Sequence, residues 1–343
     1  MHNVSKKQPK EDPINDLLAT VSDTIGDLIT GVPAPIRKNA ARAFTRLCTA
    51  AVEYPAALIE NAIEEKRAES RTRVKLTNTS AEQIAEQMHT SPEYARAAVR
   101  KFGQKIIRER INIDQIAQLA ADELRSDKPP ETGGEIQDAP PISEDWMSTF
   151  EDEAAQMSSE QMHQLFARIL AGEIRKPTSF SRKTVRMVAQ LDNTAAALFK
   201  ILCSLSISLQ LPEIGVIRDA RVVSMGSAGN NSLQAYGLGF DQLNILQEYG
   251  LIISDYNSWM TYSVATVRNN TVPLPLNYSG EFWAFAPKTA TSVPTELMIT
   301  GVALSRCGKE LLPIVEKAPN QRYTEALTSF FDQQRFAMIK AGA

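Results

Sequence analysis

The chain has 343 residues, 43% of them hydrophobic and 22% charged, with a net charge of −3 at pH 7. That length exceeds one ordinary core, so two or three modules are expected. The slightly acidic balance excludes a whole-protein electrostatic drive toward nucleic acid or anionic membrane, though not a local basic patch. Three scattered cysteines, Cys48, Cys203 and Cys307, argue against a disulfide framework and for a reducing, cytoplasmic compartment. No apolar run reaches the length of a transmembrane helix, and no signal-peptide core follows the polar start.

In chain order, residues 1–13 read as a polar tail, and 14–127 as a helical N-terminal region. Leu17, Leu18, Val21, Ile25, Leu28 and Ile29 are spaced for one helix. A long helical pattern then runs from Ile36 to about Lys75, bent near Pro55, with a highly charged second half. Three shorter helices are predicted next, opened by Ser80 with Gln83, by Ser91-Pro92, and by Asn112 with Gln115. Residues 128–142, rich in proline, glycine and acids, have nothing to bury and read as a linker.

A central helical bundle is expected over 143–210. Trp146 and Phe150 sit at i, i+4, Ser158 with Gln161 forms a capping box, and Met162, Leu165, Phe166, Ile169, Leu170 and Ile174 give the strongest helical stripe in the chain. Two further helices are predicted at roughly 181–191 and 194–208. From 211 to 343 short β-type runs alternate with helical segments at Phe240–Tyr249, Ser305–Lys317 and about Arg322–Ile339. The fold class expected is therefore mainly α with a C-terminal α+β module carrying a short mixed sheet. The Phe240–Tyr249 helix running into "GLI" and a strand also has the cadence of a winged helix.

Chemistry is sparse. His2, His89 and His163 stand apart from carboxylate or cysteine at ligand spacing, so no metal site is read and no cofactor is expected. His163 lies on the polar flank of its helix and is predicted to be a surface residue. The glycine-containing stretches at 226–232 and 235–239 lack a Walker lysine. Cys307 alone has basic neighbours, Arg306 and Lys309, but an inert buried thiol is the commoner state. Arg182, Lys183 and Arg186, on the first turns of a helix that follows another helix, are candidate nucleic-acid contacts. A further basic cluster comprises Arg96, Arg100, Lys101, Lys105, Arg108 and Arg110.

The run from Trp146 through Leu170–Ile174, Pro177, Ser179–Ser181 and Thr184 resembles the signature of an uncharacterised bacterial family, number 2806 among the domains of unknown function. The Asn112-initiated segment and the C-terminal "LSRCGKELLPIV" fit the same pattern, over most of residues 100–340. Where that family has glycine after the proline, this chain has Thr178. The resemblance implies bacterial or prophage origin and a loose likeness to helical proteins linked with phage exclusion; it brings no activity. It makes Arg168, Glu173, Pro177, Ser181, Arg182 and Thr184 the candidate functional block. For Ser181 a helix cap, and for Glu173 a partner at a helix C-terminal turn, are the plain structural readings.

These observations favour a non-enzymatic interaction protein, in phage defence or regulation. A winged-helix nucleic-acid binder is the alternative, and an enzyme built on Glu173, Arg168 and Arg182 a third reading. The Ala-rich N-terminal helices are expected to pack on a second protomer, next on each other, and least on a membrane through Arg37, Lys38, Arg42 and Arg46.

Overall fold

A computed structural model describes residues 25–49, 85–86, 89–126, 140–211, 216–267, 273–288 and 296–340. It divides into two compact units, Met1–Ser179 and Phe180–Ala343. The predicted polar tail, the opening of the first helix, the charged half of the Ile36–Lys75 pattern, the Ser80 capping box and all but the end of the 128–142 linker lie outside the described residues.

The first unit is helical. Helix α1 (Ala34–Thr49) buries Ala40, Ala43, Phe44, Leu47 and Cys48 along one face. Helix α2 (Pro92–Arg125) is a single 34-residue helix. Ser91 caps it as predicted, its side chain accepting from the Tyr94 N–H. The expected break at Asn112 is absent: Asn112 lies mid-helix, buried, and its Nδ2 donates to the Ala155 carbonyl at 2.8 Å. A polar residue with cap chemistry thus serves here as a crosslink between helices, because a burial site with a waiting carbonyl outweighs its local preference. Helices α3 (Glu144–Ala154) and α4 (Glu160–Arg175) complete the unit. Trp146 stacks on Phe150, ring centroids 5.1 Å apart, and Phe150 meets Phe166 at 5.6 Å. Phe166, Ile169 and Leu170 are fully buried, whereas Leu165 is only half-buried. The cap of α4 is Ser159 rather than Ser158.

In the second unit, α5 (Arg182–Ala189) and α6 (Asn193–Leu205) lead into a sheet. The short mixed sheet expected near the C-terminus is instead a seven-stranded, curled antiparallel sheet in the order β3-β6-β2-β1-β4-β5-β7. Its strands are β1 (Ile207–Leu211), β2 (Val216–Val223), β3 (Trp259–Thr261), β4 (Leu276–Tyr278), β5 (Glu281–Pro287), β6 (Met298–Ala303) and β7 (Phe336–Lys340). Every pairing between these strands is antiparallel. The winged-helix cadence needs a strand hairpin straight after the Phe240–Tyr249 helix; there Ile252 makes only an isolated bridge to Leu304, and β3 pairs with β6.

Two strands lie where helix was predicted. Residues 207 and 208 leave α6 at Ser206, whose backbone turns extended and whose hydroxyl donates to the Leu202 carbonyl. Residues Phe336–Ile339 leave α9 (Gln321–Gln333) through Arg335, at φ +63°, and pair with β5. The sequence also reads as β-type at Ile252-Ile253 and Tyr262–Val267, but Ile252 makes only an isolated bridge to Leu304 and the second run is mostly a 3-10 turn. Helix α7 (Phe240–Glu248) matches its prediction, whereas α8 (Arg306–Leu311) is shorter than expected.

Candidate functional site

The resemblance block divides between the two units, so its residues are described on each side separately. In the first unit, α4 ends at Arg175, and Lys176–Ser179 form a tight turn in which the Ser179 N–H donates to the Lys176 carbonyl at 3.2 Å. Pro177 occupies the second position and Thr178 the third, at φ +72°. Proline followed by a positive-φ residue is the type II arrangement, which favours glycine at the third position. Thr178 is β-branched and sits there under strain. Glu173, 2% exposed, braces it: its Oε1 accepts from the Thr178 N–H at 2.6 Å. Glu173 thus has the turn as its partner. Arg168 is half-buried on the same helix.

His163 corrects the prediction of a surface residue. It is 6% exposed, and its Nε2 lies 2.8 Å from the Met157 carbonyl, closing the α3–α4 turn. The three cysteines are all buried and free. Cys307 is therefore no accessible nucleophile. Among the described residues no group of three or more His, Cys, Asp or Glu is placed to hold a metal ion.

In the second unit the block builds the start of α5. Ser181 is the N-cap, with extended backbone and a side chain accepting from the Thr184 N–H. Its hydroxyl lies 2.9 Å from Thr184 Oγ1. One carboxylate locks both residues: Glu310 Oε2, from α8, accepts from the Ser181 N–H at 2.7 Å and from the Thr184 hydroxyl at 2.5 Å. Glu310 Oε1 takes Arg306 Nε at 2.7 Å. The carboxylate therefore supplies the negative charge that a helix N-terminus favours. Thr184 is fully buried, so its hydroxyl, though beside the Glu310 carboxylate, is closed to a substrate. Sequence reading missed Glu310, 126 residues beyond Thr184, because no local spacing announces a partner so far along the chain.

Arg182, Lys183 and Arg186 are exposed on α5, while Thr184, Val185, Met187 and Val188 face inward. No acid stands in the first turn. Arg182 and Lys183 stand on the first turn, against the macrodipole, whereas Arg186 stands in the last turn, where a cation is favourable. Lys183, Arg186, Met187 and Gln190 form one wall of a cleft of about 370 Å³, and Glu248 and Tyr249 at the end of α7 form the other. Among the described residues the side chains of Lys183 and Arg186 make no ion pair or hydrogen bond. Tyr249 is fixed in place, its hydroxyl donating to Asp192 Oδ2 at 3.0 Å. Asp192 also caps α6 through Ala195 N–H at 2.7 Å, and these two hydrogen bonds, the cap first, hold its carboxyl below the usual range.

A second polar centre went unread in the sequence. Arg221 forks onto Asp219, at 2.6 and 2.9 Å, and donates through Nη1 to the carbonyls of Ser258 and Ile299. The Tyr262 hydroxyl donates to Asp219 at 2.6 Å. All three side chains are buried. The signal was present as the i, i+2 spacing of Asp219 and Arg221, which places both on one face of a strand. The network joins β2, β6 and the loop around Ser258, and its many mutual hydrogen bonds make it a structural crosslink.

No curated protein and no solved structure matches the chain. The described helices include none long and apolar enough to cross a membrane. The family model for "Protein of unknown function (DUF2806)" matches residues 95–328, which takes in α2 through most of α9, so the chain belongs to that family.

Proposed function

We propose that the chain is a non-enzymatic interaction protein that takes an acidic segment of a partner protein in the cleft between α5 and the end of α7. The observation that carries this reading is the pair Lys183 and Arg186, exposed and without partners among the described residues, beside the fixed ring of Tyr249. Met187 and Tyr249 supply the adaptable apolar and aromatic contacts found in protein interfaces. Glu248, on the facing wall, repels a phosphate backbone and an acidic side chain alike, so the two probes below decide between peptide and nucleic acid. We propose further that the interaction serves bacterial defence or regulation, the former on the family's loose likeness to helical proteins linked with phage exclusion.

Fluorescence anisotropy at physiological salt tests the reading with two probes, an acidic peptide containing aromatic residues and a single-stranded oligonucleotide. The peptide is expected to bind, and to lose at least about tenfold in affinity in the Lys183→Glu/Arg186→Glu variant. Tighter binding of the oligonucleotide, lost in the same variant, would transfer the site to nucleic acid. Binding of either probe that ignores both substitutions contradicts the site.

A further inference from the structure

The basic cluster of α2 is accounted for neither by folding nor by the cleft on α5. Among the described residues α1 ends beside Arg110, whose Nη1 donates to the Leu47 carbonyl at 2.6 Å, and α2 runs on past it toward Pro92. No residue from 96 to 111 is buried. In that stretch Arg96, Arg100, Lys101, Lys105, Arg108 and Arg110 stand against the single acid Glu109. Arg110 is paired with Asp114, and Lys105 lies 3.5 Å from Glu109. Among the described residues the side chains of Arg100, Lys101 and Arg108 make no ion pair or hydrogen bond. Arg96 and Arg100, and again Lys101 and Lys105, are spaced i, i+4, where like charges weaken a helix. The stretch is thus basic at a cost to its own stability, in a chain whose net charge is −3.

The cations are arranged about a neutral ridge. Ala97, Gln104 and Ile111 recur every seven residues, a step that turns a helix by only about 20°, so they fall on one line. All three are exposed, on the side of α2 opposite the face that Ile113, Ile116 and Ala120 bury. Lys101, Lys105 and Arg108 flank this ridge on one side, and Arg96 and Arg100 on the other. The major groove of B-form DNA, about 12 Å wide, admits an α-helix and sets it between two phosphate backbones. Cations on both flanks then meet phosphate, and a glutamine at mid-ridge meets the edge of adenine, with which its amide pairs in two hydrogen bonds. The major groove of an RNA duplex is too deep and narrow to be read in this way. A membrane surface calls for large apolar side chains between the cations, where this ridge has Ala97 and Gln104.

We propose that the N-terminal half of α2 lies in the major groove of duplex DNA. Lys101, Lys105 and Arg108 take one phosphate backbone, Arg96 and Arg100 the other, and Gln104 the base edges between them. The site is separate from the cleft on α5, and neither reading rests on the other.

Fluorescence anisotropy of the full-length chain with a mixed-sequence DNA duplex at physiological salt tests it. The duplex is expected to bind, and Arg100→Glu/Lys101→Glu/Arg108→Glu to lose at least about tenfold in affinity. The slope of log affinity on log salt should flatten by about 0.9 for each phosphate contact removed. Lys183→Glu/Arg186→Glu is expected to bind the duplex as the parent chain does, which keeps this result apart from the cleft. A single strand or an RNA duplex of the same sequence is expected to bind at least about tenfold more weakly. A readout that needs no variant is competition: methyl green, which occupies the major groove, is expected to displace the chain, and netropsin, which occupies the minor groove, is not. No binding of the duplex, equal binding of the single strand, displacement by netropsin alone, or unchanged affinity in the triple variant would overturn the proposal. Tighter binding to phosphatidylserine vesicles than to the duplex, lost in the triple variant, would assign the face to a membrane and overturn it as well.

Discussion

At the residue scale, the block that resembles the family is dominated by side chains that hold backbone in place. Thr178 sits where a type II turn favours glycine, and the buried Glu173 carboxylate holds its N–H. Thr178→Gly is therefore expected to raise stability by about 1 kcal/mol, net of the added flexibility of the unfolded chain, read from urea unfolding. Glu173→Ala should cost roughly 1–3 kcal/mol by removing the charge-assisted hydrogen bond that holds the turn. The need for an unusual conformation after Pro177 was legible in the resemblance, which expects glycine there; the bracing carboxylate was not, because a lone buried glutamate looks the same in sequence as a solvated one. Tyr262 gives a pH dependence. Burial, followed by the neighbouring Asp219 carboxylate, holds its phenol well above the usual range. The folded chain accepts only the neutral form, so this contribution is fully present below pH of about 10, the ordinary phenol value, and is lost as pH rises beyond it. Alkaline titration should show phenolate absorbance appearing together with unfolding, and Tyr262→Phe should remove one tyrosine from that coupled step.

At the element scale, helices with a strong stripe were readable, and so were the β-type runs that became β2, β5 and β6, but the pairing and extent of the sheet were not. The α4 stripe was legible because four of its predicted members, Phe166, Ile169, Leu170 and Ile174, are wholly enclosed; Phe166→Ala should cost about 3–5 kcal/mol, measurable as a lowered melting temperature. Asn112 misled because cap chemistry and interhelical hydrogen bonding use the same amide. Strand β7 misled because Phe-Ala-Met-Ile fits either state, and pairing with Trp283–Pro287, far along the chain, decides between them. Helix α8 shows a similar long-range constraint: a Cβ on Gly308 would stand 2.2 Å from the Leu251 carbonyl oxygen. Gly308→Ala is thus expected to destabilise by about 3 kcal/mol and to loosen the Glu310 lock on Ser181 and Thr184, visible as faster amide exchange at the start of α5. If the variant melts with the parent, the packing of α8 on that carbonyl is wrong.

At the scale of the whole molecule, composition already indicated more than one module, but not where the second core begins. The second unit starts at Phe180, within a stretch that reads as continuous helical bundle, since α5 and α6 have ordinary helical stripes and only their packing reveals that they belong with the sheet. The account's central claim is that the cleft of Lys183, Arg186 and Tyr249 holds an acidic segment of a protein partner. A photo-crosslinking residue in place of the exposed Gln190, in the full-length chain expressed in its native cells, tests this most directly. The account predicts a protein adduct joined through an acidic segment, abolished by Lys183→Glu/Arg186→Glu. A nucleic-acid adduct, or a protein adduct indifferent to both charge reversals, would contradict it.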